Sequence, residues 1–247
     1  MKIDPGWSDG AVAAMNAMIL AAGRGTRLGE LSASTPKILV ELDGEPLLAR
    51  QIRYLRSAGV RRIVINTHHL AGQVEEFLST QPGSADLHTV FEPELLGTAG
   101  GVRGALELLG EGHFFVLYGD VVVDEPPAAL AEAHGRMGAL ATLAVYASTE
   151  IEGKGTVEID PDGRITAFRE KAAAHTGAQA YVNAGLYVID PALLRGLPAG
   201  VACDFGHDLF PAALSRGEPL AAHVLRAPVI DIGTPAALQA ARGRPPA

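Results

Sequence analysis

Three features of the 247-residue chain predict an α/β fold, a Rossmann-like, mixed but mainly parallel sheet flanked by helices. Short apolar runs alternate with segments of helical period, and few residues join one to the next, as right-handed crossovers between parallel strands require. Hydrophobic residues make up 48% of the chain, enough for a sizeable core. The first apolar run empties into a glycine-rich, basic turn, and open α/β sheets bind ligands beyond such strand ends.

Residues 17–22 have the length and composition of a buried strand. Residues 46–58 carry Leu47, Leu48, Ile52 and Leu55 at helical spacing, with Gly59 as the stop. A strand follows over 61–66, a helix over 70–78 and a strand over 87–91. Residues 98–109 predict a helix capped by Thr98, and 114–118 a strand ending at Gly119-Asp120. The rhythm then changes. Residues 139–146 read as a strand, 156–159 and 164–168 as a hairpin around Pro161-Asp162-Gly163, and 180–189 as another strand. Short helices are expected near Pro191, near Asp208 and after Pro235. Residues 15–240 are expected to form one domain, with a nucleotide half over about 15–125 and an acceptor half over about 126–240. Residues 1–14 read as a loose extension without the basic start and apolar centre of a secretory signal.

Net charge is −8, which argues against a nucleic-acid binder working through a basic surface. An acidic protein that takes a polyanion needs a local basic pocket, and a divalent metal suits that need. The single cysteine, Cys203, rules out a disulfide framework within one chain and points to a reducing compartment, with the cytoplasm as the default. No apolar run reaches membrane-spanning length. Adjacent His68 and His69 would point to opposite faces of an extended segment and do not suit one metal ion.

The stretch from Met18 to Lys37 carries the most chemistry. Its turn, Gly23-Arg24-Gly25-Thr26-Arg27, offers backbone N–H groups and two guanidiniums, a surface suited to polyphosphate. A Gly-x-Gly turn can equally be a plain strand-to-helix connection. The third glycine of the dinucleotide fingerprint and the Gly-Lys-Ser/Thr of the P-loop are both missing. Asp120, at the end of an apolar run beside Gly119, suits Mg²⁺ or caps a turn. Asp231 lies in the apolar run Val229-Ile230-Asp231-Ile232, before Gly233-Thr234-Pro235 opens a helix with Thr234 as cap. Two strand-end carboxylates far apart in sequence can hold one metal between them. Phe168-Arg169-Glu170-Lys171 and Asn183-Ala184-Gly185 are, singly, an ordinary charge cluster and an edge strand.

In this order, the glycine-rich turn, Thr-Pro-Lys, Leu-Gly-Thr-Ala-Gly-Gly, Gly-Asp, Glu-Lys, Asn-Ala-Gly and Asp-Ile-Gly-Thr-Pro resemble the sugar-1-phosphate nucleotidylyltransferases. The likeness runs from Met15 to about Ala240. It is nearest in pattern to the short mannose-1-phosphate or heptose-1-phosphate guanylyltransferases, with N-acetylmuramate-1-phosphate uridylyltransferases also similar. It implies a GT-A-like nucleotidyltransferase fold without a C-terminal β-helix, since the chain ends soon after the Gly-Thr-Pro helix.

The resemblance also implies roles. Ala22, Gly23, Gly25 and Thr26 would line base and phosphates, and Gly97 and Thr98 would border the nucleotide. Arg27 would hold the triphosphate and Lys37 would contact phosphate. Asp120 and Asp231 would hold Mg²⁺. Glu170, Lys171 and Asn183 would hold the sugar 1-phosphate, with Gly155 allowing its close approach. Where the family has Pro-Leu-Thr after Arg-Leu, this chain has Gly29-Glu30-Leu31-Ser32, a departure that spares the charged groups. Glu92, five residues before Gly97, can accept from both the ring N–H and the amino group of guanine, which favours GTP over the uracil and thymine nucleotides; it can equally be a capping or solvated carboxylate, and some uridylyltransferases resemble this stretch too. The implied partners are thus an NTP and a sugar 1-phosphate, with no nucleic acid and no membrane. A homodimer is compatible with the sequence, which leaves oligomeric state open. Rival readings are a nucleotidyltransferase acting on another small phosphate, and a non-catalytic nucleotide-sugar sensor on the same fold. The sensor reading predicts damage to the charged set, yet Arg27, Lys37, Asp120, Lys171 and Asp231 are all present.

Overall fold

The computed structural model describes residues 15–25, 29, 34–170, 179–227 and 229–242. The expected extension over residues 1–14 lies outside them. Strand β1 (Asn16–Leu20) has parallel neighbours on both sides, β4 (Ile63–Thr67) and β6 (Phe114–Tyr118), and β4 pairs in parallel with β5 (Leu87–Phe91). Between β1 and β4 lie the short strands β2 (Glu41–Leu42) and β3 (Glu45–Pro46) and helix α1 (Leu47–Ser57). Helix α2 (Ala71–Ser79) joins β4 to β5, and α3 (Gly97–Gly104) and α4 (Leu106–Leu109) join β5 to β6.

The second half adds strands in mixed directions. After β7 (Val121–Val123) and α5 (Pro127–Met137) come β8 (Ala141–Ser148), the hairpin β9 (Thr156–Ile159) and β10 (Ile165–Arg169), and the ten-residue β11 (Ala180–Ile189). β11 forks the sheet. Its first part pairs with β9, its second part with β6, and β8 runs antiparallel along its other edge. Helix α6 (Ala192–Arg195), a π-turn over Phe205–Leu209, α7 (Phe210–Ser215), β12 (Leu220–Val224), β13 (Val229–Asp231) and α8 (Pro235–Ala241) complete the described chain. Nine of the described strands thus make one sheet, and β13 pairs with β7 beside it.

Period-two alternation in the strands divides the core. Ala17 and Ile19 of β1 with Phe115 and Leu117 of β6 face one layer, where Leu48, Ile52 and Leu55 of α1 and Leu130 of α5 cover them. Met18, Phe114 and Val116 face the other, with Val102, Leu109, Leu194, Phe205 and Phe210. Residues expected on the strands at 87–91, 114–118, 156–159 and 180–189 occupy those spans. Five elements are absent from the expectations above: β2, β3, β7, α5 and β12. β7 is three valines in a row without alternation. α5 opens on Pro126-Pro127, a pair that reads as a loop until the second proline is placed in the first helical turn.

A polar cluster sits far from the strand ends that bear the motifs. His134 of α5 is 2% exposed; its Nε2 lies 2.7 Å from His113 Nδ1 and its Nδ1 2.8 Å from Thr142 Oγ1. Burial, helped by the nearby charge of His113, pushes the His134 imidazole from 6.5 down to about 3. As pH falls from 6.5 toward 3, the unfolded chain takes up a proton that the folded chain refuses. Stability is therefore full above that window and lost through it. Urea unfolding between pH 7.5 and 4 is expected to show a steeper acid loss for the wild type than for His134→Gln; parallel curves would contradict the assignment.

Candidate active site

The turn between β6 and β7 places Asp120. The Gly119 amide donates to Leu20 O at 2.9 Å, and a Cβ at Gly119 would lie 2.5 Å from that same oxygen, so only glycine lets the turn rest on the end of β1. From below, Gln51 of α1, 2% exposed, donates from Nε2 to both Tyr118 O and Val121 O at 2.9 Å. On the third side the Ile232 amide donates to Asp120 O at 2.7 Å, and β13 lies antiparallel to β7 with Asp231 opposite Val121. Lys37 comes from a 3₁₀ turn entered through Pro36, and its Nζ is 2.6 Å from Asp120 Oδ2. Both side chains are largely screened from solvent, at 13% and 24% exposure, so this ion pair is less screened than a surface one.

Two clefts meet at this turn. The larger, about 320 Å³, is bordered by Ala22, Gly23, Gly25, Lys37, Glu92, Gly97, Thr98 and Asp120. The smaller, about 230 Å³, is bordered by Asp120, Gly155, Glu170, Asn183 and Asp231. Tyr118, Asp120 and Asp204 line both. The structure therefore brings the described site residues together in the two groups that the sequence separated. Thr26, Arg27 and Lys171 lie outside the described residues.

The back of the larger cleft is a chain of buried hydrogen bonds. The Ala21 amide donates to Asn66 Oδ1 at 2.7 Å, Asn66 Nδ2 donates to Glu92 Oε1 at 2.7 Å, and the Leu96 amide donates to Glu92 Oε2 at 3.1 Å. Glu92 is 3% exposed. It ties the end of β1 to the entry of α3. A Cβ at Gly101 would lie 2.5 Å from Glu92 Oε1, which gives that glycine of the Gly-Thr-Ala-Gly-Gly run a packing reason. His68 also turns inward, with Nδ1 2.8 Å from Glu92 O.

Thr98 does not cap α3. The N-cap position is Leu96, without a side-chain hydrogen bond. The Thr98 hydroxyl instead donates to Asp204 Oδ2 at 2.8 Å and accepts from the Phe205 amide at 2.8 Å. The cap was misplaced because Gly97 can begin the helix with a left-handed φ of 72° that no β-carbon would favour. Thr234 does cap α8, accepting from the Ala237 amide at 3.2 Å.

In the smaller cleft the register between β11 and β8 shifts after Asn183, where Gly185 takes a φ of 69°. This bulge turns the Asn183 side chain onto Tyr187: Nδ2 donates to Tyr187 Oη at 2.7 Å. The Asn183 amide donates to Gly155 O at 2.9 Å, so the Asn-Ala-Gly bulge pins the backbone before β9. Glu170 lies over two glycines; a Cβ at Gly155 or Gly206 would come within 3.1 or 2.2 Å of Glu170 Oε2. Burial pushes the Tyr118 and Tyr187 hydroxyls up, out of reach of ionisation at neutral pH, so both serve as neutral hydrogen-bond groups.

Sequence reasoning missed Gln51 and Asp204. Gln51 occupies a core position in an amphipathic helix, where only its two carbonyl partners explain a buried amide. Asp204 caps the π-turn by accepting from the Gly206 amide at 3.0 Å and the His207 amide at 3.3 Å. An aspartate four residues ahead of the expected helix start near Asp208 was the available signal.

Comparison with known proteins is consistent along the chain. The family described as Nucleotidyl transferase matches residues 16–244. A UTP–glucose-1-phosphate uridylyltransferase of Synechocystis sp. is 30% identical over 244 residues, 93% of this chain and 63% of the relative. A mannose-1-phosphate guanylyltransferase catalytic subunit beta of Danio rerio is 34% identical over 229 residues, 90% of this chain and 62% of the relative. The chain thus spans about three fifths of the length of these curated relatives. The crystal structure of HddC from Yersinia pseudotuberculosis superposes with a TM-score of 0.79 at 26% identity, covering 92% of this chain and 97% of that one.

Gln51→Leu removes the shared donor from two carbonyls of the turn. Unfolding in urea is expected to show a loss of about 1–3 kcal/mol, the cost of leaving buried groups unsatisfied; unchanged stability would mean that Gln51 does not hold the turn.

Proposed function

This chain belongs to the nucleotidyl transferase family, and on that premise we propose that it transfers a nucleoside monophosphate from a nucleoside triphosphate, GTP in preference, to a sugar 1-phosphate, releasing pyrophosphate. The observation that carries the reading is the junction of two clefts at the turn bearing Asp120, a residue that lines both. In-line transfer needs the donor's α-phosphorus reached by an acceptor from the far side of the leaving group. The larger cleft suits the triphosphate and the smaller one the sugar phosphate. On the same reading the nucleotide half covers about 15–125 and the acceptor half about 126–240.

The chemistry asks for alignment more than for a base. A sugar phosphate oxygen is already ionised at neutral pH. It forms a bond to the α-phosphorus while the bond from that phosphorus to the bridging oxygen breaks, and pyrophosphate carries the charge away. Lys37 stands beside Asp120, where an ammonium can meet phosphate oxygens as negative charge moves. By family resemblance, Arg27 and Lys171 are assigned to the triphosphate and the acceptor phosphate.

The donor set fits Mg²⁺. Asp120 and Asp231 both border the smaller cleft, and Asp231 pairs with Val121, the residue after Asp120. Among the described residues no group of three or more His, Cys, Asp or Glu is suited to hold a metal alone. Mg²⁺ takes one or two protein carboxylates and completes its shell with water and substrate oxygens. When bound, it supplies charge neutralisation for the phosphates. A cytoplasmic location belongs to the same proposal; no helix among the described residues is long and apolar enough to cross a membrane.

Glu92 supports the preference for guanine. Its buried carboxylate receives two neutral N–H donors from described residues, Asn66 and Leu96, which fill half of its roughly four lone-pair sites. Guanine offers two adjacent donors on one edge. Uracil and thymine offer one donor between two acceptors, which a carboxylate repels.

Pyrophosphate release across ATP, GTP, CTP, UTP and dTTP against a panel of sugar 1-phosphates tests the reading. GTP with a mannose or heptose 1-phosphate is expected to be turned over best, and Glu92→Gln to lower the preference for GTP over UTP by about 10-fold or more. A wild-type preference for UTP or dTTP would overturn the base assignment, and no pyrophosphate from any pair would overturn the activity.

A further inference from the structure

The described residues give the smaller cleft few cations for the ligand proposed for it. Four carboxylates border it, from Asp120, Glu170, Asp204 and Asp231. A sugar 1-phosphate brings roughly two more negative charges. Among the described residues lining this cleft, Lys154 is the one lysine or arginine.

Lys154 is placed by the local fold. It closes a turn whose amide donates to Ile151 O at 3.0 Å, and it directly precedes Gly155, whose carbonyl accepts the Asn183 amide. The stem of the side chain therefore starts from backbone fixed by the same bulge that sets Asn183. Its ammonium donates to Tyr146 Oη at 3.4 Å and stands 5.8 Å from the centre of that ring. These are weak contacts, a long hydrogen bond and a distant cation–π approach. Among the described residues no carboxylate lies within ion-pair distance of it, in contrast to Lys37, which Asp120 neutralises at 2.6 Å. A half-buried ammonium, steadied by an aromatic hydroxyl and facing a cleft of carboxylates, is poised to take an anion.

We propose that Lys154 is a substrate-contacting residue that binds the phosphate of the acceptor sugar, a second cation for that group beside the one assigned to Lys171. The inference rests on the proposed function, because it takes the acceptor cleft from that reading. It deepens the reading by giving the cleft a residue that distinguishes a phosphorylated sugar from a neutral one. Lys154 approaches from the β8–β9 connection, away from the Lys37 turn, so it acts on the acceptor and not on the triphosphate.

The test combines equilibrium binding with turnover for the wild type, Lys154→Met and Lys154→Arg, each checked for folding by circular dichroism. The probes are α-D-mannose 1-phosphate, α-D-glucose 1-phosphate and free mannose, titrated calorimetrically, followed by kinetics with GTP and UTP. Lys154→Met is expected to weaken sugar 1-phosphate binding and raise its KM by about 10-fold or more, the scale of one charge-assisted hydrogen bond. The KM for the NTP and the binding of free mannose should stay within about twofold, and Lys154→Arg should recover most of the loss. Equal sugar 1-phosphate binding by wild type and Lys154→Met, or an equal rise in KM for the NTP, would overturn the role of Lys154 while leaving the activity intact. A wild type that neither binds nor turns over any sugar 1-phosphate would overturn the proposed function and this inference together.

Discussion

The contact between Gly119 and the carbonyl of Leu20 is the constraint on which the site depends. Two strand ends must come so close that the glycine donates its amide to an oxygen that a β-carbon would strike. Only then does Asp120 emerge at the seam between two clefts instead of over one of them. Gln51 beneath the turn and β13 beside it add the remaining supports. Each belongs to a different stretch of sequence, and the carboxylate is fixed only once all of them have assembled.

Electrostatics then decides what the seam can hold. The chain is acidic overall, at −8, and the smaller cleft is acidic too. Lys37 balances Asp120, and the hydrogen-bond chain from Ala21 through Asn66 to Glu92 fixes the back wall of the larger cleft with neutral donors. The proposed substrates are polyanions. On the proposed reading they are held by a few placed cations and a divalent ion, not by a basic surface, and catalysis comes from assembling charges that neither cleft carries alone.

Much of this was legible in the sequence, for reasons that differ by element. Strands β5, β6, β9 and β11 were readable because each is a short apolar or alternating run between clear turn residues. The two groups of site residues were readable because strand ends carry the motifs, so Gly23, Glu92 and Asp120 arrive at one sheet edge. Thr98 lines the larger cleft but was misread as a cap, because its partner Asp204 lies 106 residues away. Gln51 was illegible for a similar reason. Its partners are backbone carbonyls, which carry no residue identity for a sequence to display. β12 was missed although Gly217 and Pro219 mark a turn ahead of it, because Leu220–Val224 is short and pairs in parallel with a strand about eighty residues earlier.

The claim at the centre of the account is that Asp120 serves both clefts. Its most direct test is turnover by Asp120→Asn, a substitution of equal size that removes one charge, using the best NTP and sugar 1-phosphate pair with Mg²⁺ in excess. The account predicts a fall in kcat of about 10²–10³ with the circular dichroism spectrum unchanged. A variant that retains wild-type kcat would contradict it.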